Sequence, residues 1–101
     1  MIQMVGLSHR TAPLAVRERL AVSPRELPDA LRLLRGSPVI AEAALLSTCN
    51  RLELYVVTPD PERAVQDLIS FLSFRSRLSE PRLRALVYRA ADAGGREDPC
   101  D

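Results

Sequence analysis

The sequence predicts an α+β domain in which an antiparallel sheet carries two longer helices on one face. Short apolar runs suited to strands occur at residues 2–7, 39–46, 51–56 and 83–88. Between them, longer stretches carry apolar residues at spacings of three and four, which is the period of a helix. Capping and turn-forming residues separate these runs, so strands and helices alternate along one short chain.

The first predicted strand covers residues 2–7, which are apolar and β-branched at intervals. It ends where residues 6–13 bring glycine, serine and proline together, a composition typical of a turn. Residues 14–20 then predict a helix of one or two turns. This short helix leads to the first long helix.

The first long helix is predicted to begin at Ser23. Ser23 can cap the helix, Pro24 suits the first helical position, and Glu26 can bond back to the amide of Ser23. Arg35 and Gly36 predict its end, as a cation in the last turn and a glycine after it. Four residues give it an apolar stripe: Leu27, Ala30, Leu31 and Leu34.

Two strands are predicted on either side of a cysteine. Residues 39–46 are nearly all apolar and too few for another long helix, so we expect a buried central strand. Leu52, Leu54 and Val56 alternate with polar or aromatic residues, which is the pattern of a half-buried strand. The two strands meet at Cys49.

A second long helix follows, because Asp60 and Pro61 repeat the capping pattern of the first. Its stripe consists of five apolar residues: Ala64, Val65, Leu68, Ile69 and Leu72. Residues 83–88 predict a last strand. Residues 91–101 have no periodicity and predict an irregular polar tail, so we expect the domain to cover residues 1–90.

The predicted order of long elements is strand, helix, strand, strand, helix, strand. This is the order of the ferredoxin-like βαββαβ unit, an antiparallel sheet with both helices on one face. The 101 residues suffice for one small domain and leave no room for a second cofactor-binding domain of ordinary size.

Composition limits the classes of function. A formal net charge of +1 argues against a strong non-specific grip on nucleic acid, which needs a surplus of cations. No apolar run reaches membrane-spanning length. Cys49 and Cys100 lie in contrasting surroundings, an apolar stretch and a charged tail, so we expect free thiols, a cytoplasmic protein and an incidental role for Cys100.

The chemistry is predicted to centre on Cys49. A cysteine at the junction of two strands is held rigidly and can still be reached by a substrate. A thiol attacks as the thiolate, which a nearby guanidinium such as that of Arg51 favours. Thr48 and Asn50 add a hydroxyl and an amide that could orient a polar substrate.

Other interpretations of these residues stay open at this point. A lone cysteine after an apolar strand is more often a buried small hydrophobe than a catalyst. His9 and Arg10 are candidates for a base and a cation near the site, although a histidine in a loop is usually structural or solvated. Glu53 is expected to pair with an arginine across the sheet or to lie in water.

Residues 6–13 (GLSHRTAP), 16–19 (VRER) and 46–55 (LSTCNRLELY) resemble the N-terminal catalytic domain of glutamyl-tRNA reductase. The resemblance implies NADPH-dependent reduction of glutamate carried on its tRNA to glutamate-1-semialdehyde, for tetrapyrrole synthesis. It implies that Cys49 forms a glutamyl thioester and that Thr48, Asn50 and Arg51 line the glutamate site, with Arg51 on the carboxylate. The implied partners are glutamyl-tRNA and glutamate-1-semialdehyde aminomutase.

The chain also departs from this family's pattern. The family's assisting histidine, its Ser-Gly-Leu-Asp-like stretch, a Gly-x-Gly-x-x-Gly fingerprint and the helical dimerisation domain have no counterpart in the sequence. We therefore expect a truncated, frameshifted or fragmentary chain without NADPH-binding and dimerisation domains, and we expect no metal site. The alternatives are a non-catalytic ferredoxin-like module that binds RNA or protein, and a remnant that does not fold stably.

Overall fold

The computed structural model describes residues 1–91, which form a single four-stranded sheet and four helices. The elements in chain order are β1 Ile2–Ser8, α1 Leu14–Leu20, α2 Leu27–Arg35, β2 Glu42–Ser47, β3 Arg51–Val57, α3 Pro61–Ser76, α4 Glu80–Leu86 and β4 Tyr88–Ala91. The strand order is β2-β3-β1-β4, and every neighbouring pair is antiparallel. The predicted α+β fold of ferredoxin-like type is confirmed.

The two faces of the sheet differ because successive side chains of a strand point to opposite sides. Val5 and Leu7 of β1 lie opposite Leu54 and Leu52 of β3, and all four belong to the hydrophobic core. The buried residues of α1, α2 and α3 join the same core. We call this side the helix face and the opposite side the far face.

The start of α2 differs from the prediction by one turn. The Ser23 amide donates to the Glu26 carboxylate at 3.0 Å and the Glu26 amide to the Ser23 hydroxyl at 3.3 Å, so the predicted reciprocal cap forms. Residues 24–26 nevertheless form a turn, and the helix begins at Leu27. In a helix beginning at Pro24, Pro28 would lie in the interior, where its ring clashes with the preceding turn.

The burial of the two strands around Cys49 differs from the prediction. β2 is an edge strand whose residues alternate between exposed and half-buried, whereas the prediction placed a buried central strand at residues 39–46. β3, predicted as half-buried, is central and buries Leu52, Glu53 and Leu54 in succession. The apolar character of both segments did not determine which of them would pair on two sides.

The strand predicted at residues 83–88 is wrong over most of its length. Ser79 caps α4 by accepting from the amide of Arg82 at 3.4 Å, and a proline occupies its first turn. Only after α4 ends does the chain form β4, which pairs with β1. β4 includes Ala91, the first residue of the predicted tail, and residues 92–101 lie outside the described part of the chain.

The second long helix is confirmed as α3. Asp60 accepts from the amide of Arg63 at 3.2 Å as the N-cap, and the helix ends at Arg77 in the left-handed conformation with φ of 65°. All five residues of its predicted stripe are buried. α3 packs its stripe against the helix face of the sheet.

Candidate active site

The β2–β3 hairpin presents Cys49 at its tip. Residues 48–50 connect the two strands, and the amide of Thr48 donates to the carbonyl of Arg51 at 2.8 Å. The amide of Asn50 donates to the Thr48 hydroxyl at 3.3 Å, so the Thr48 side chain shapes the turn itself. The three side chains at the tip, those of Thr48, Cys49 and Asn50, are exposed.

Two distant segments of the chain hold this tip. Arg17 of α1 donates from Nη1 to the Cys49 carbonyl at 2.8 Å and from Nε to the Ala12 carbonyl at 3.2 Å. The amide of His9, just after β1, donates to the Asn50 carbonyl at 2.8 Å. The backbone of Cys49 is therefore bracketed by the end of β1 and by α1, although its thiol is accessible.

Ser47 anchors the base of the same hairpin. Its hydroxyl accepts from the amide of Val22 at 3.1 Å, which ties the end of β2 to the segment between α1 and α2. A hairpin tied at its base and its tip keeps its geometry better than a free turn, because fewer backbone torsions can relax.

The exposure of Cys49 decides against one alternative interpretation. The thiol is free and exposed, so the residue is not a buried small hydrophobe. An accessible cysteine is one that a substrate can reach, as a nucleophilic thiol requires. The catalytic role of Cys49 itself stays a prediction.

Arg17 is the site residue that the sequence analysis missed. Its segment, residues 16–19, entered only as part of the family resemblance, because an arginine 32 residues from a cysteine gives no local signal. In contrast, His9 and Arg10 were predicted near the site. Both are exposed in the loop after β1, and His9 reaches the hairpin through its backbone.

Arg51 lies at the start of β3 and belongs to the far face. Because side chains alternate along β3, Arg51, Glu53 and Tyr55 lie on the side opposite the core residues Leu52 and Leu54. Arg51 Nη1 lies 3.9 Å from Glu53 Oε2. On the far face, the guanidinium of Arg51, which is predicted to bind substrate, therefore lies in a cluster of polar side chains.

Glu53 is the centre of this cluster and is fully buried. The Tyr88 hydroxyl donates to its Oε2 at 2.7 Å, and the Tyr55 hydroxyl donates to its Oε1. The expectation that Glu53 lies in water is wrong, because its side chain is fully buried, and Arg51 of the same strand is one of its partners. Buried carboxylates persist where donors converge on them, as they do here.

Residues 1–91 contain neither a metal-ligand cluster nor a membrane-spanning helix. No three metal-ligating side chains cluster within this part of the chain, and none of its helices is long and apolar enough to cross a membrane. Its two glycines, Gly6 and Gly36, lie within β1 and at the end of α2. Neither glycine stands at a strand-to-helix turn, where a dinucleotide fingerprint needs one.

Fold and site together define an α+β domain that presents a surface thiol on a β-hairpin anchored by arginine. The family model described as glutamyl-tRNAGlu reductase, N-terminal domain, matches residues 5–95. The chain belongs to this family.

Curated relatives agree with the family match. The glutamyl-tRNA reductase of Synechococcus sp. (strain JA-3-3Ab) is 49% identical over 87 residues, which cover 86% of this chain and 20% of the relative. That of Rippkaea orientalis is 47% identical with the same coverage. That of Synechococcus sp. (strain WH7803) is 43% identical over 96 residues, covering 93% and 22%. The chain spans about a fifth of the length of these relatives.

Proposed function

We propose that this domain performs the acyl-transfer step of a glutamyl-tRNA reductase, with Cys49 as the nucleophile. The observation that carries the proposal is the exposed Cys49 thiol on an anchored hairpin, in a chain that belongs to this family. The names of the relatives supply glutamyl-tRNA as the substrate class.

In the proposed step, the Cys49 thiolate attacks the carbonyl carbon of the ester that joins glutamate to its tRNA. A carbon–sulfur bond forms, the carbon–oxygen bond to the terminal ribose breaks, and the released ribose oxygen takes up a proton. An ester of this kind is already activated, and a thiolate is the strongest side-chain nucleophile near neutral pH. The products are free tRNA and a glutamyl thioester on Cys49.

The surrounding side chains have proposed roles in holding the glutamyl group. Arg51 binds its side-chain carboxylate, since a guanidinium offers paired N–H donors suited to a carboxylate. Thr48 and Asn50 lie on either side of Cys49 at the exposed tip and supply further polar contacts. His9 and Arg10 support the site from the adjoining loop.

The step proposed for this chain ends at the thioester. In the family, NADPH would supply the hydride that releases glutamate-1-semialdehyde for tetrapyrrole synthesis. Neither glycine of residues 1–91 lies at a strand-to-helix turn of the kind that holds a pyrophosphate, so the proposal gives the described residues no role toward NADPH. Reduction, and transfer of the product to glutamate-1-semialdehyde aminomutase, are proposed for the longer proteins of the family.

A single-turnover experiment tests the proposal. The chain is mixed with glutamyl-tRNA that carries radiolabelled glutamate, quenched in acid, and examined for label that stays with the protein and is released by hydroxylamine. We expect a labelled thioester with the unaltered chain and with Cys100→Ser, the matched cysteine control. Cys49→Ser should abolish this label. A thioester that persists in Cys49→Ser, or none in the unaltered folded chain, would overturn the assignment.

A further inference from the structure

We propose that Glu53 is a positioning residue, which orients Arg51 toward the substrate carboxylate and is itself held by the hydroxyls of Tyr55 and Tyr88. The identity of the substrate in this inference rests on the proposed function. The orientation of Arg51 by Glu53 can be tested independently.

The Glu53 carboxylate is buried and held by surrounding donors. The Glu53 side chain has no exposed surface, and burying a carboxylate is unfavourable unless donors surround it. Two hydroxyls donate to it, one to each oxygen, and the Arg51 guanidinium faces Oε2 at 3.9 Å. An apolar residue would be the simpler choice at a buried position of a central strand. A carboxylate held by three groups can instead fix the orientation of an arginine.

Gly6 leaves space for this cluster because it has no side chain. In the sheet register, Gly6 lies between Glu53 on one side and Tyr88 on the other. A Cβ at this position would come within 2.9 Å of Glu53 Cγ and 3.1 Å of Tyr88 Cε1. The glycine therefore allows the Tyr88 ring to approach Glu53 across the strand that separates them.

Arg51 lies between this cluster and the hairpin. Its side chain is 20% exposed, so a ligand at the hairpin can reach it, while Glu53 behind it is fully buried. Arg51 is also two residues from Cys49, at the first position of β3. A guanidinium has five N–H donors in one plane and can face two carboxylates from different edges at once. Glu53 would occupy one edge and the substrate carboxylate another.

This arrangement connects β4 to the substrate site through Glu53, although β4 itself does not contact the substrate in this proposal. Tyr88 lies 35 residues from Glu53 in the sequence, and its hydroxyl donates to the Glu53 carboxylate. Removing that hydroxyl should affect Arg51 through Glu53. It should leave the Cys49 hairpin unchanged, because Cys49 is held by α1 and by the end of β1.

Substrate selectivity is the readout that separates positioning from a merely structural role. Single-turnover acylation of Cys49 is measured with glutamyl-tRNA and with glutaminyl-tRNA, whose side-chain amide lacks the charge that Arg51 recognises. We expect Glu53→Gln to lower acylation by subsaturating glutamyl-tRNA about tenfold, with little change in the saturated rate or with glutaminyl-tRNA. Tyr88→Phe should lower it about threefold in the same selective way.

The matched control is Glu42→Gln, which removes a carboxylate from the exposed edge of the same sheet. It should leave the acylation of Cys49 unchanged with both tRNAs. Equal losses with both tRNAs in Glu53→Gln would show a structural role and overturn the inference. Far-UV circular dichroism checks folding. Should Glu53→Gln unfold, Tyr88→Phe carries the test, because it removes a single hydroxyl and keeps the ring.

A second readout does not depend on acylation. We expect the Nε–H of Arg51, assigned in ¹⁵N NMR spectra by comparison with Arg51→Gln, to give a resolved signal that Glu53→Gln abolishes. If this occurs but the unaltered chain forms no thioester, the positioning of Arg51 stands and the proposed function fails. If the thioester forms but neither selectivity nor the Arg51 signal changes in Glu53→Gln, the proposed function stands and the positioning inference fails.

Discussion

Replacing Arg17 with alanine should loosen the tip of the β2–β3 hairpin without unfolding the domain. The guanidinium joins α1 to the hairpin through the carbonyls of Ala12 and Cys49, at 3.2 and 2.8 Å. Both bonds come from a charged donor, but the one to Cys49 is exposed to solvent. Because solvent weakens the advantage of the charged donor, each should contribute about 0.5–1 kcal/mol, which is the lower part of the range for an ordinary hydrogen bond.

The sum gives a loss of about 1–2 kcal/mol in the free energy of unfolding for Arg17→Ala, which urea denaturation can measure. Acylation of Cys49 by glutamyl-tRNA should fall about tenfold or more, because a freely moving tip spends less time in the reactive geometry. Arg17→Lys should recover only part of both losses, since an ammonium cannot bond both carbonyls from the fixed fork of a guanidinium.

Arg19→Ala is the matched control. Arg19 is also on α1 and also donates to a carbonyl, that of Ser76 at 3.3 Å, but it does not contact the hairpin in the described structure. It should lower stability and leave acylation unchanged. If Arg17→Ala and Arg19→Ala reduced acylation equally, or if Arg17→Ala changed neither stability nor acylation, the role given to Arg17 would be refuted.

Three further predictions follow from other parts of the fold. Gly6→Ala should lower the free energy of unfolding by about 1–3 kcal/mol in urea, because its Cβ would lie 2.9 Å from the backbone oxygen of Leu52. Iodoacetamide should alkylate Cys49 at least as fast in the native chain as in the urea-unfolded chain, measured in Cys100→Ser, since the thiol is exposed. The amide and then the hydroxyl of Ser23 hold the pKa of the Glu26 carboxyl below its usual value. This contribution to stability is present above the usual pKa and lost as pH falls through the lowered value, so Ser23→Ala should flatten the acid side of the stability profile.

Each of these has a result that would contradict it. Gly36→Ala is the glycine control, because its Cβ would be 3.2 Å from the Leu33 carbonyl and the backbone φ of −68° suits alanine. Equal costs at Gly6 and Gly36 would contradict the close approach at Gly6. Strong protection of Cys49 in the native chain would contradict its exposure. An unchanged acid profile in Ser23→Ala would show that the Ser23 hydroxyl does not lower the pKa of Glu26, since the variant keeps the amide.

Local features of the fold, such as helix caps and apolar stripes, were predictable from the sequence because they depend on residues close together in the chain. The Ser23–Glu26 pair and the Asp60 cap involve groups three residues apart, and both form as predicted. The apolar stripe of α3 is buried as its spacing indicated. The segment around Cys49 was placed correctly between two strands, because its turn chemistry lies beside their patterns. The ferredoxin-like order followed from these local signals.

Some local signals were present and misinterpreted. Ser79 and Pro81 offer the same capping chemistry as Ser23 and Pro24, whereas the strand prediction rests on the apolar residues after them. In a segment of seven residues, the helical and strand periods give similar apolar patterns. Capping chemistry was the better guide to α4.

Contacts between distant segments could be read only from the folded chain. The tertiary structure placed β2 at the edge and β3 in the centre, a choice that hydropathy does not encode because either strand could pair on two sides. It brought Arg17 to the carbonyl of Cys49 and the Tyr88 hydroxyl to a buried Glu53. Such contacts form when the chain packs, so their energies depend on which segments meet and not on the residues beside them. The thiol was visible in the sequence, but the groups that hold its hairpin and orient its neighbouring arginine were not.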